Sequence, residues 1–149
     1  MGSENETTLI PFTVKLDITF SQLLYGPEDL ISLFICTYDG MVLCADIHLD
    51  SAEPAFSFPL PIYMAAGGVA YISGSFVNGT QYVALWSYES EFIFLTRAFT
   101  PVTEGSTKVA PTVSHRAVPF GNGHQSISSL TFRPQTELCF VGTHDGLLY

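Results

Sequence analysis

Positive charge is scarce in this chain. Only five of its 149 residues are Lys or Arg, against 14 Asp and Glu, for a net charge of −9. Nucleic-acid binding takes most of its affinity from clustered basic residues that neutralise phosphates. Here Lys15, Arg97, Lys108, Arg116 and Arg133 are scattered. The expectation is therefore no direct binding of nucleic acid and no attachment to an anionic membrane. Membership of a complex whose other members bind nucleic acid stays open. Long apolar runs are also missing: none approaches the roughly 20 residues of a membrane helix. The stretch MGSENETTLIPF has neither a basic n-region nor an apolar h-region and does not read as a signal peptide.

Cysteine is sparse too. Cys36, Cys44 and Cys139 form no Cys-x-x-Cys pair, and each lies in an apolar run. They read as buried, reduced thiols of an intracellular protein, nuclear or cytoplasmic. The glycosylation sequons at Asn5 and Asn78 would matter only in a secreted protein. Helical windows are few, because prolines at 11, 27, 54, 59, 61, 101, 111, 119 and 134 interrupt them. Only Gln22 to Leu24 and Tyr63 to Ala66 are arguable.

What the chain does have is apolar and aromatic. Hydrophobic residues make up 47%, with 12 Phe and 7 Tyr, which is no disordered composition. Aromatics interleaved with turn formers favour strands. The expected class is one all-β, antiparallel domain.

The strands repeat. FICTYDGMVL from Phe34 matches FVGTHDGLLY from Phe140 position by position. Asp-Gly between apolar runs signals a tight hairpin, which puts Asp39, Gly40 and Gly146 in turns. A weaker copy, ALWSYESEFI, starts at Ala84, so the copies are 50 and 56 residues apart. A further strand precedes each: Lys15 to Phe20, Gly68 to Ser73, and Ile127 to Phe132. The expected units are 12–50, 64–99 and 120–149, with 100–119 as linker. Repeats of this length point to propellers.

From Gly123-His124 through Asp145, the last unit resembles a WD40 repeat, which implies antiparallel blades of a partial β-propeller. By that resemblance His124, Thr143 and Asp145 belong to a hydrogen-bonded network stapling the strands of a blade. The family's Trp-Asp pair falls at Ala45-Asp46 in the first unit, where only Asp46 is kept, which by the resemblance makes Asp46 a blade-turn residue. At Leu95-Thr96 in the second unit both are lost. In the third it falls beyond Tyr149, so Leu147 to Tyr149 reads as a strand stub and the chain as a fragment or part of a shared propeller. The layout around SHRAVPFGNGHQSISSL is also similar to the propeller subunits of the RNA polymerase III factor IIIC.

No chemistry asks for an enzyme. The histidines and cysteines lack compact metal-ligand spacing, so no metal and no cofactor are expected. There is no Gly-x-Ser-x-Gly elbow and no phosphate loop. Phe56 and Phe58, between prolines, are candidate partner contacts. The expected function is a non-enzymatic interaction scaffold within a larger complex, its partner being another protein or the remaining blades of the propeller, because a closed propeller needs about four to eight blades. The alternative is a small α+β adaptor: Phe34 to Ile47 also resembles the central hairpin of roadblock or profilin-like folds, which need long flanking helices.

Overall fold

The computed structural model describes residues 17–49, 55–56, 60–101, 110–118, 120 and 126–149. These residues form antiparallel sheets and no helix. The α+β alternative, which requires long flanking helices, is therefore set aside.

The first sheet contains β1 (Ile18–Tyr25), β2 (Leu30–Thr37) and β3 (Met41–His48), with β4 (Ala55–Phe56) and β5 (Leu60–Met64) both paired to β3. The second is a meander of β6 (Val69–Val77), β7 (Thr80–Ser87), β8 (Phe92–Ala98) and β9 (Thr112–Val118). The third pairs β10 (Ile127–Phe132) with β11 (Cys139–Thr143), and Leu148 bridges back to Gly142. β6 packs against β1 and also against β10.

Three sequence expectations change. Gln22 to Leu24 lies within β1, and Tyr63 and Met64 within β5, so neither window is helical. The first sheet runs past residue 50 to take in β5. Pro61 is compatible with that strand because β5 lies at the edge of its sheet. The supposed linker 100–119 contains β9, paired along its length with β8. Six of the seven β9 residues are exposed, so the strand lacks the apolar alternation that marks half-buried strands in a sequence.

The centre of the second sheet, in β7 and β8, is buried on both faces, and that explains its composition. Side chains alternate across a strand. Val83, Leu85, Ile93 and Leu95 meet Leu24, Phe34, Cys36, Val42 and Cys44 of the first sheet. Ala84, Trp86 and Phe92 meet Ile127, Leu130, Phe132 and Val141 of the third. Hence VALW in β7 is a continuous apolar run rather than an alternating one, as expected of a strand covered on both sides. Trp86 is only 5% exposed and belongs to this core.

The turn repeat has a common geometry. Gly40 N–H donates to the Thr37 carbonyl, and Gly146 N–H to that of Thr143, both at 3.1 Å. Each turn has its glycine in the left-handed region, φ +97° and +85°. The Thr37 hydroxyl donates to Asp39 and accepts from Met41 N–H at 3.1 Å; Thr143 treats Asp145 and Leu147 N–H in the same way. In the middle copy Ser87 Oγ accepts from Glu91 N–H at 3.0 Å, and Ser90 takes the positive φ. Each turn is also tied to the start of its sheet: the amides of Tyr38, Tyr88 and His144 donate to the carbonyls of Asp17, Gly68 and Ser126.

The two glycines differ in surroundings. A Cβ on Gly40 would overlap the Ala65 carbonyl oxygen, whereas one on Gly146 would meet nothing within 4 Å. Gly146→Ala should therefore cost only the left-handed backbone penalty, about 1–2 kcal/mol. Gly40→Ala should cost about 3 kcal/mol or more, because backbone must also move. Urea unfolding of the two variants checks the difference; equal losses would refute it.

Candidate functional site

Two places concentrate polar chemistry. The first is a buried cluster between the first and second sheets. Ser32 and Asp46 are direct partners across β2 and β3, and Gln81 and Arg97 across β7 and β8. The two pairs face each other. Arg97 Nη2 donates to Asp46 Oδ2 at 2.8 Å and Nη1 to Asp46 Oδ1 at 3.1 Å. Nη1 also reaches Gln81 Oε1 at 2.8 Å and Ser32 Oγ at 3.2 Å. Ser32 Oγ donates to Asp46 Oδ1 at 2.7 Å. Gln81 Nε2 donates to Ser32 Oγ at 2.8 Å and to the Tyr25 carbonyl at 3.1 Å. The guanidinium carbon lies 5.9 Å from the Phe34 ring centroid and 5.3 Å from that of Phe99.

Burial alone pushes the Asp46 carboxyl up. Hydrogen bonds from Arg97 and Ser32, with the guanidinium charge and that of His48, outweigh it and hold the carboxyl below its ordinary range. Burial raises the Cys36 and Cys44 thiols to about 12 and the Cys139 thiol to about 11. All three are protonated near neutral pH, so none offers a thiolate nucleophile there.

The second place is an open groove of about 470 Å³ between the second and third sheets. Its floor is the row Tyr82, Thr96 and Ser114 with the neighbouring pair Phe94 and Arg116. Phe132, Glu137, Leu138 and Cys139 form its wall. Tyr82 Oη donates to Glu137 Oε1 at 3.0 Å and ties wall to floor. The other end of the same face is closed by aromatics, with Phe120 set 6.2 Å from Trp86 and 5.1 Å from Tyr149, between ring centroids.

The residues singled out in the sequence fall as follows. Asp39, Gly40 and Gly146 occupy turns, and Thr143 bonds Asp145 within its own turn. Asp46 is not a turn residue; it sits inside β3, where alternation points it into the sheet interface with Val42 and Cys44. Phe56 pairs through its backbone with Ile47 in β4. His124 and Phe58 lie outside the described residues. Sequence reasoning passed over Arg97, Gln81 and Ser32. The available signal was strand parity: Gln81 shares a face with Val83 and Leu85, and Arg97 with Ile93 and Leu95.

Among the described residues no three His, Cys, Asp or Glu side chains gather as metal ligands would. No described helix is long and apolar enough to cross a membrane. No family model, curated protein or solved structure matches the chain.

Asp46→Asn removes the counter-charge of a buried guanidinium and should cost about 2–4 kcal/mol in urea unfolding. A loss under about 0.5 kcal/mol would contradict the assigned role. The pH dependence has a fixed sign. A carboxyl whose folded pKa lies below its unfolded value contributes fully above the unfolded value and loses that contribution as pH falls through the folded one. The stability gap between the native chain and Asp46→Asn should therefore be constant near neutrality and narrow below about pH 4. A gap that widens on acidification would overturn the assignment.

Proposed function

We propose that this chain is a non-enzymatic protein-interaction segment, a run of WD40-like blades that works inside a larger assembly. Its partner is another protein or further blades seated on the ends of the stack.

One observation carries the reading: the outer face of the first sheet is apolar and uncovered at one end. Cross-strand register places Tyr25, Ile31 and Ile47 in one row, Leu23, Leu33 and Ala45 in the next, and Ser21, Ile35 and Leu43 in a third. Such rows share a face of the sheet. Leu23 is 58% and Tyr25 75% exposed. The inner face of the same sheet buries equivalent rows against the second sheet, so the outer face repeats a pattern that elsewhere receives a neighbour. At the opposite end of the stack Phe140 and Leu148 are exposed as well.

The repeated turns and the placement of β1 and β10 on either side of β6 are in keeping with successive blades, each opening on its innermost strand. Stacked repeat units bury their cores against neighbours, so the end units need a cap. The unpaired thiols suit a reducing intracellular compartment.

The test is sedimentation velocity on the chain and on a Leu23→Lys/Tyr25→Lys variant. The chain alone should self-associate as concentration rises, and the variant should stay monomeric with an almost unchanged thermal midpoint. A native chain that is monomeric throughout, with this face as well protected in hydrogen exchange as the buried interfaces, would sink the proposal.

A further inference from the structure

The groove between the second and third sheets goes beyond that reading, because it exists whether or not further sheets extend the stack. We infer that it is a docking site for an extended peptide segment of a partner, one that carries a carboxylate side chain.

Shape comes first. The groove is continuous with the hydrophobic interface of these two sheets, since Phe94, Phe132, Tyr82 and Cys139 belong to that cluster as well as to the lining. The third sheet covers the Trp86 end of the face and leaves the Phe94 end open. An apolar side chain entering between Phe94, Phe132 and Leu138 would extend a core that is already packed. Leu138 is more than half exposed and gains cover in the process.

Backbone comes second. One boundary of the groove is β9, which among the described residues is the edge strand of its sheet. An edge strand presents alternate N–H and C=O groups that no neighbour uses. An extended segment running beside it can take those bonds and direct every second side chain into the groove, which is strand addition with pockets for specificity. A compact small molecule would leave that edge unused.

Charge selects the partner. In a chain of net charge −9, the cation facing this groove is Arg116. Its guanidinium carbon lies 5.6 Å from the Phe94 ring centroid. It has no ion-pair partner among the described residues, whose one salt bridge is that of Arg97 and Asp46. The hydroxyls of Thr96 and Ser114, 2.5 Å apart, sit in the neighbouring row. The groove's own anion, Glu137, accepts from Tyr82 and stands beyond ion-pair reach of Arg116, so a carboxylate placed at Arg116 meets a cation, and an ammonium there meets repulsion. Planar guanidinium on an aromatic ring favours fork-like recognition of carboxylate.

The probe is the fluorescein-labelled peptide Thr-Val-Thr-Phe-Thr-Glu-Thr-Val, whose alternation places Phe and Glu on one face. Versions with Gln or Lys in place of Glu accompany it. Fluorescence anisotropy should show saturable binding to the native chain, weakened about tenfold or more by the Lys peptide and less by the Gln peptide. Arg116→Glu should abolish binding of the Glu peptide and restore that of the Lys peptide. Arg133→Glu, an exposed change outside the groove, should leave both unchanged. Arg116 is exposed, so circular dichroism of the variant should match the native chain. No saturable binding, binding indifferent to Arg116→Glu, or equal sensitivity to Arg133→Glu would each overturn the inference. Self-association that Arg116→Glu removes would assign the groove to a second copy and overturn it too.

Discussion

The Asp46 carboxylate and the Arg97 guanidinium meet where the first two sheets close on each other, and the order of the stack depends on that contact. Each comes from a different sheet and is held by its own cross-strand partner, Ser32 or Gln81. Two bonds between the charges and further bonds to neutral side chains offset part of the desolvation cost, with Arg97 Nε left buried without a hydrogen-bond partner. A slip of one residue in any of the four strands turns a charged or polar group onto the opposite face. The displaced arrangement would leave a guanidinium or a carboxylate buried without its partner. The pair therefore discriminates among registers more strongly than it adds net stability. Apolar packing of Phe34, Val42, Val83, Leu85, Ile93 and Leu95 supplies the bulk of the attraction but has little directional preference of its own.

The second sheet transmits that constraint to the third. Its strands carry one set of residues toward the first sheet and the alternate set toward the third, so fixing one face fixes the other. Hydrogen bonds reinforce both interfaces: Gln81 reaches the Tyr25 carbonyl on one side, and Ser73 Oγ accepts from Phe132 N–H at 3.1 Å on the other. Three small turns of shared design then hold each sheet's hairpin to the start of its first strand.

Much of this was readable in the sequence, for a local reason. The Thr-x-Asp-Gly turn is specified by four adjacent residues, and its copies could be aligned by eye. Even the degenerate copy keeps a hydroxyl at Ser87 where the others have Thr37 and Thr143. What was hidden depends on partners distant in sequence. β9 looked like a linker because an exposed edge strand has no apolar face to display, and its pairing with β8 rests mainly on backbone. β5 was obscured by Pro61. Asp46 was expected in a turn on the strength of a dipeptide position, and only its strand parity with Val42 and Cys44 shows where it points. Arg97 could be placed on an inward face by the same parity, but nothing local says that its counter-charge lies 51 positions earlier. The groove was invisible for the same reason: its floor and wall come from strands on different sheets.

The exposure of β9 has an energetic side. Hydrogen bonds to β8 are nearly all that hold it, and few buried side chains back them. Segments of this kind open with free energies well below that of global unfolding. An occupant that adds hydrogen bonds along the free edge would draw part of its binding energy into ordering this strand, and its apparent affinity would rise and fall with the fraction of time the strand is closed. Conditions that leave the core untouched, such as modest heat or a little denaturant, would then loosen the groove before they loosened the protein. A strand so lightly held would act as its own rheostat.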